Sequence, residues 1–241
     1  MPPLRPTPSV PIDSSRLERL LRDLGPQVRR GVPPALPPPR CPTGISEIDG
    51  LLGGGFPRGY LSEVAGAASS GRTALALGLL AEATRCEELA AVVDAADAFH
   101  AASAAAAGAT LERVLWVRAP HVRAALRSVE HLLKARGFPL ILLDLVGREG
   151  RDAYSSTAWS RLARAAAGAQ AALVLLAGRR LAGTSAELAL EMQPCRACFV
   201  GTPALLEELE VRAVLTRTRS GLCGAAERAA SVRLRVLGTA A

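Results

Sequence analysis

Hydrophobic and polar positions follow a repeating strand–helix rhythm from residue 43 onward. Short apolar runs predict strands at Tyr60–Ala65, Ala91–Asp94, Arg113–Val117, Leu140–Asp144 and Ala172–Ala177. Between them, Thr73–Arg85, Asp97–Ala107, His121–Arg136 and Ser156–Ala167 have helical spacing or are rich in alanine, and predict helices. Leu140–Asp144 is apolar at four successive positions, as in a strand covered on both faces. The alternation implies an α/β fold: a mostly parallel central sheet with helices on both faces. Near the C-terminus the pattern changes. Glu210–Arg219 and Ser231–Val236 alternate basic with apolar residues and predict an antiparallel strand pair at the sheet's end. No internal repeat is visible.

The front of the chain has another character. Twelve of the 17 prolines lie in residues 1–42, which sets that segment apart from a core domain at 43–241. Within it, Ser15 followed by Glu18 forms a capping-box pattern, and Leu17, Leu20, Leu21 and Leu24 fall on one stripe of a helix over residues 15–24. Gly25-Pro26 ends that pattern. So short a helix cannot hold itself in water, so its leucines must dock on their own domain, on a neighbouring subunit or on a partner. Val32–Pro42 reads as a semi-rigid extended linker.

Composition bounds the function classes. With 241 residues, 49% hydrophobic and 21% charged, the chain can bury the core of one α/β domain and is not disordered throughout. Its longest apolar stretches, such as 165–177, are too short and interrupted for a membrane span, and the first residues lack the apolar run of a secretory signal. Cys41, Cys86, Cys195, Cys198 and Cys223 are scattered and odd in number, which suits a reducing cytoplasm, with association to the nucleoid as a further expectation. The net charge is +7, and only Lys134 of the 29 basic residues is a lysine. Residues 1–42 carry seven arginines against three acids, and residues 207–241 six against four. A basic excess at both ends either attracts nucleic acid or an acidic protein, or only solvates the surface.

The strongest chemical signal is Gly66-Ala-Ala-Ser69-Ser70-Gly71-Arg72-Thr73, with a strand before it and a helix after it. It has P-loop spacing, with arginine where lysine is expected. Backbone N–H groups of such a loop converge at a helix N-terminus and can cradle an anion. Thr73 would hold magnesium. A guanidinium keeps the positive sign but is larger, planar and differently hydrated than an ammonium.

Residues Thr43–Gly66, Thr-Gly-Ile-Ser-Glu-Ile-Asp-Gly-Leu-Leu-Gly-Gly-Gly-Phe-Pro-Arg-Gly-Tyr-Leu-Ser-Glu-Val-Ala-Gly, resemble the opening of the RecA recombinase core. Val92-Val-Asp-Ala-Ala-Asp-Ala-Phe99, Gly108–Val117 and Leu140–Asp144 follow in RecA-like order, and the resemblance extends from Thr43 to Val236. The chain's length, its Pro/Arg-rich front and its altered motifs are most similar to the ImuA branch. That resemblance implies a RecA-like P-loop core acting as a non-catalytic accessory protein of the SOS-linked translesion-synthesis machinery. It implies an ImuB-type Y-family polymerase-like partner, with RecA and an error-prone replicative-type polymerase as further candidates, and no membrane. It implies no required cofactor, with weak binding of ATP and magnesium. A RecA-like DNA-binding ATPase or recombinase with an unusual P-loop is the rival reading, and a SulA-like cell-division inhibitor a third.

The departures from the family pattern carry the non-catalytic expectation. Ala96 stands where RecA-like ATPases place the glutamate that polarises the attacking water; Asp97 is its neighbour. Asp144 matches the carboxylate that helps hold magnesium, and Gly178 stands near the place of the phosphate-sensing glutamine. Phosphoryl transfer depends on positioning and electrostatic stabilisation, and loss of one preorganised group costs about 10²–10³ in rate. By the same resemblance, the two DNA-contacting loops correspond to Gly147–Ser156, with Arg148, Arg151 and Tyr154, and to Gly178–Glu187, with Arg179 and Arg180. Cys195-Arg-Ala-Cys198 has metal-ligand spacing, but no second pair follows and His100, His121 and His131 lie far upstream, so no metal site is expected. Trp116 and Trp159 read as core, and His131 as surface.

Overall fold

The computed structural model describes residues 38–148, 156–219 and 228–235. The expected helix with Leu17, Leu20, Leu21 and Leu24, most of the linker, Arg151 and Tyr154 lie outside the described residues.

The chain begins with a small antiparallel pair, β1 (Arg40–Cys41) against β2 (Phe56–Pro57). Cys41 and Phe56 are both buried, so the last residues of the expected linker are part of the core. Between them, α1 (Ser46–Leu52) buries Ile48, Leu51 and Leu52 and stops at Gly53 in the left-handed region. Then come β3 (Leu61–Gly66), α2 (Arg72–Arg85) and β4 (Ala90–Asp94). They are followed by α3 (Ala101–Ala106), β5 (Val114–Arg118), α4 (Val122–Ala135) and β6 (Leu140–Asp144). The rest is α5 (Ser156–Ala169), β7 (Ala172–Ala177), β8 (Leu188–Val200), β9 (Leu205–Thr218) and β10 (Ala229–Arg235).

One eight-stranded sheet runs in the order β10-β9-β8-β3-β7-β6-β4-β5. From β8 to β5 all neighbours are parallel; β9 and β10 join antiparallel. Alternation along each central strand divides the core. Val64, Val92, Leu142 and Val174 face α1 and α2, whereas Val93, Ile141, Leu143 and Leu175 face α4 and α5. The α4 stripe Val122, Ala125, Leu126, Val129 and Leu133 has the spacing that buries one helix face. Trp159 on α5 is buried, and Trp116 on the edge strand is half-buried with its ring edge-on to Phe99. Among the described residues no helix is long and apolar enough to cross a membrane.

Three expectations need correction. The helix read over Asp97–Ala107 starts only at Ala101, because the chain first wraps around the buried Asp94 carboxylate, which accepts the N–H groups of Ala96 and Phe99 at 3.0 and 2.8 Å. His100 then caps the helix by accepting the Ser103 N–H. The antiparallel pair is longer than expected, with its first strand beginning at Leu205 rather than Glu210. A 13-residue strand, β8, precedes it where none was read.

Candidate functional site

The P-loop sits at the carboxyl end of β3, the end of an open parallel sheet where ligands usually bind. Ser69 and Gly71 take left-handed backbone conformations (φ 58° and 85°), which turn the chain from the strand into α2. A Cβ at Gly71 would also meet the end of the Leu234 side chain of β10, which would have to shift, and would crowd Val211 of β9. Ala67, Ala68, Ser69 and Thr73 are exposed, while Gly66, Ser70 and Gly71 are buried.

Arg72 is only 9% exposed, and its guanidinium folds back on the loop that carries it. Nε donates to Ser70 Oγ at 3.2 Å and one terminal nitrogen donates to the Ala67 carbonyl at 3.2 Å. The loop backbone suits a phosphate, and two nitrogens of the cation beside it bind the loop's own acceptors.

A cavity of about 210 Å³ is lined by Asp144, Phe99, Leu142 and Leu176 together with Arg72, Thr73 and Leu80 of α2. Asp144, half-buried at the end of β6, accepts the Val146 N–H at 2.9 Å. Ala96 lies beyond the end of β4, so side-chain alternation along the strand does not govern where Asp97 points. The turn itself does. Asp97 has φ 58° and makes a two-pronged pair with Arg118, both contacts at 2.7 Å. Hydrogen bonding to that guanidinium holds the Asp97 carboxyl below its ordinary range, and the Arg118 guanidinium also lies 5.0 Å from the Trp116 ring centre.

Of the arginines assigned to the two loops by resemblance, Arg148 and Arg180 are engaged by the fold. Arg148 Nε donates to the Ala95 carbonyl at 3.1 Å. Arg180 lies 3.8 Å from Glu63, a carboxylate buried in the middle of β3 that also accepts the Leu181 and Ala182 N–H groups. Arg179 is exposed, and Gly178 directly follows β7.

A second, open cavity of about 640 Å³ lies at the opposite end of β3. Arg164 of α5 and Arg217 and Arg219 at the end of β9 line it, with the hydroxyl-bearing Tyr60, Ser160 and Ser185. Glu187 is the one carboxylate among the lining residues. Arg217 Nε is buried with no hydrogen-bond partner among the described residues. Sequence reasoning missed this cluster; the Arg-Thr-Arg alternation at 217–219 was its only local signal. Cys195 is exposed and Cys198 half-buried, and no metal-ligating group of three or more side chains occurs among the described residues. His121 caps α4 by accepting the Ala124 N–H at 3.0 Å, and His131 is exposed.

Comparison with known proteins agrees with this arrangement. The protein RecA of Picosynechococcus sp. is 35% identical over 105 residues, 44% of this chain and 30% of that relative. The protein RecA of Prochlorococcus marinus is 34% identical over 142 residues, 59% of this chain and 37% of that relative. That of Porphyromonas gingivalis is 37% identical over 107 residues, 44% of this chain and 31% of that relative. The matched region thus spans about a third of the length of these curated relatives. The family described as the RecA N-terminal domain matches residues 39–195, from the residue before β1 to the middle of β8 and including the P-loop. With well over half of its length matched, the chain belongs to the RecA N-terminal domain family.

Proposed function

We propose that this protein is a RecA-like accessory protein of the ImuA kind, an adaptor in DNA-damage-induced translesion synthesis rather than an ATP-driven motor. The observation that carries the reading is Arg72, whose guanidinium is hydrogen-bonded to Ser70 and Ala67 of its own loop. Position 96 offers no carboxylate, and the neighbouring Asp97 is paired with Arg118, so neither the phosphate cation nor the water-activating base is poised. A P-loop enzyme depends on just these groups for transition-state stabilisation.

In this reading the fold's purpose is assembly. Its principal partner is an ImuB-type Y-family polymerase-like protein, with RecA and an error-prone replicative-type polymerase in the same machinery. Leu17, Leu20, Leu21 and Leu24 supply one apolar contact stripe. ATP and magnesium bind weakly at Gly66–Thr73 and Asp144, without being required. The ATPase reading draws on Thr73 and Asp144 lining one cavity.

Two measurements decide between them. Purified protein is expected to show only background phosphate release with ATP and magnesium, and to co-purify with the polymerase-like partner. ATP turnover that Thr73→Ala or Asp144→Ala abolishes would establish the motor instead.

A further inference from the structure

The arginines at the amino end of β3 come from two distant elements. Arg217 near the end of β9 and Arg219 just beyond it are two residues apart, and extended backbone puts such side chains on one face. The chain is pinned there: Thr218 pairs with Leu188, and the Arg219 N–H donates to the Glu187 carbonyl at 3.0 Å. On α5, Ser160, Ala163, Arg164 and Ala167 follow helical spacing and present one stripe to the same cavity of about 640 Å³. The two alanines keep that wall low, and Ser160 Oγ lies 3.1 Å from Ser185 Oγ of the segment after β7.

Donors outnumber acceptors in this cavity. Its lining holds three guanidinium groups against one carboxylate, Glu187, and Tyr60, Ser160, Thr184 and Ser185 add hydroxyls. Arg164 and Arg219 are exposed, whereas Arg217 Nε is buried with no hydrogen-bond partner among the described residues. A buried donor without an acceptor is costly to keep, and a guanidinium carries five N–H groups and no acceptor of its own. A carboxylate ligand has two oxygens and would leave most of these donors unused. A phosphate offers more acceptor oxygens, and the guanidinium fork matches them. The cavity is open and larger than a single phosphate needs, which leaves room for the groups esterified to it. Tyr60 is the one aromatic side chain in the lining, so base stacking adds little to what binds.

We propose that this cavity is a phosphate-binding site separate from the P-loop. In it Arg164, Arg217 and Arg219 hold the oxygens of a backbone phosphate of single-stranded nucleic acid or of a free phosphate compound. Arg217 Nε supplies the buried donor, and Arg164 and Arg219 flank the anion from α5 and from the end of β9. The net charge of +7 draws such ligands toward the chain.

The test follows the anisotropy of fluorescein-labelled oligothymidylate, and the calorimetry of inorganic pyrophosphate, with the full chain. Beside the parent stand Arg164→Glu/Arg219→Glu in the cavity and Arg123→Glu/Arg127→Glu on α4, a control with the same change in net charge. All four positions are exposed, so melting temperatures should match the parent. The cavity pair should weaken oligothymidylate binding about tenfold or more at about 100 mM salt, and the control pair much less. That result would support the site and name the nucleic-acid backbone as the source of the phosphate. Pyrophosphate binding that only the cavity pair abolishes, with oligothymidylate unaffected, would support the site and name a free phosphate compound instead. Equal losses in the cavity and control pairs would overturn it, as would a cavity pair that binds both probes like the parent. A parent chain that binds neither probe would overturn it too.

Discussion

At position 72 the exchange of an ammonium for a guanidinium changes what the loop does with its own polar atoms. Arg72 satisfies Ser70 Oγ and the Ala67 carbonyl, so gripping a phosphate means giving up those two hydrogen bonds. A lysine is a compact, strongly hydrated charge on a flexible stem that can reach outward to a ligand. Arg72→Lys is therefore expected to increase the rise in melting temperature produced by ATP and magnesium; a ligand at a hundred times its Kd adds about 2.7 kcal/mol. Turnover should stay at background until Ala96→Glu is added, because position 96 lacks the carboxylate that would act on water. Hydrolysis by Arg72→Lys alone would contradict this division of labour. Cys41 provides a separate test of the fold's entry strand. Burial pushes its thiol up to about 12 from the ordinary 9.0. Between those values the unfolded chain has released a proton that the native state keeps, so stability falls as pH rises through the window, by about 1.4 kcal/mol per unit. Urea midpoints measured at about pH 8 and 10 should drop more for the parent than for Cys41→Ala, which has no thiol to ionise.

The link from β7 to β8 shows how one buried side chain fixes an element boundary. Both strands are parallel neighbours of β3, so residues 178–187 must carry the chain back along the sheet, in fewer residues than the dozen or more that a parallel crossover usually takes. Glu63, buried in the middle of β3, holds this loop through the Leu181 and Ala182 N–H groups on one oxygen, Oε1. Glu63→Ala leaves both donors unsatisfied and should cost about 2–4 kcal/mol in urea denaturation. Glu63→Gln keeps an acceptor oxygen in place and should cost markedly less; equal losses would show that charge, not acceptance, is what matters. That anchoring also marks the boundary of what the sequence disclosed. Parallel strands such as Leu140–Asp144 are legible because burial on both faces leaves an unbroken apolar run. β8 is not, because Pro194 and the register irregularities around Cys195 and Cys198 interrupt its alternation. The start of α3 is hidden likewise, since the Asp94 carboxylate takes the N–H groups of Ala96 and Phe99 before the helix begins. In the candidate site, the P-loop is local and was visible from spacing. The inward fold of Arg72 depends on its neighbours in space, and the Arg164, Arg217 and Arg219 cluster comes from two distant parts of the chain.

At the scale of the whole sheet, arginines among the described residues gather at its two ends. At the carboxyl end of β3 three cations are engaged: Arg72 by its loop, Arg148 by the Ala95 carbonyl and Arg180 by Glu63. At the opposite end, Arg164, Arg217 and Arg219 face a cavity of about 640 Å³ together with one carboxylate, and none of the three makes an ion pair within 4.0 Å among the described residues. Guanidinium forks and serine hydroxyls are the donors that phosphate oxygens accept best. Single-stranded DNA is therefore expected to contact this end through its backbone, more than through Arg148 or Arg180. Each phosphate neutralised on a single strand contributes about 0.7 to the slope of log affinity against log salt concentration. Arg217→Ala/Arg219→Ala should thus flatten that slope by roughly 1.4 between about 50 and 200 mM salt in fluorescence anisotropy. Arg148→Ala should leave it nearly unchanged. Arg217→Lys/Arg219→Lys, which keeps the charge, should retain most of the parent slope while losing some affinity to the poorer fit of an ammonium. A slope that survives the alanine pair and collapses with Arg148→Ala would return the DNA-contacting role to the loop after β6, and would mean that the Ala95 hydrogen bond breaks on binding.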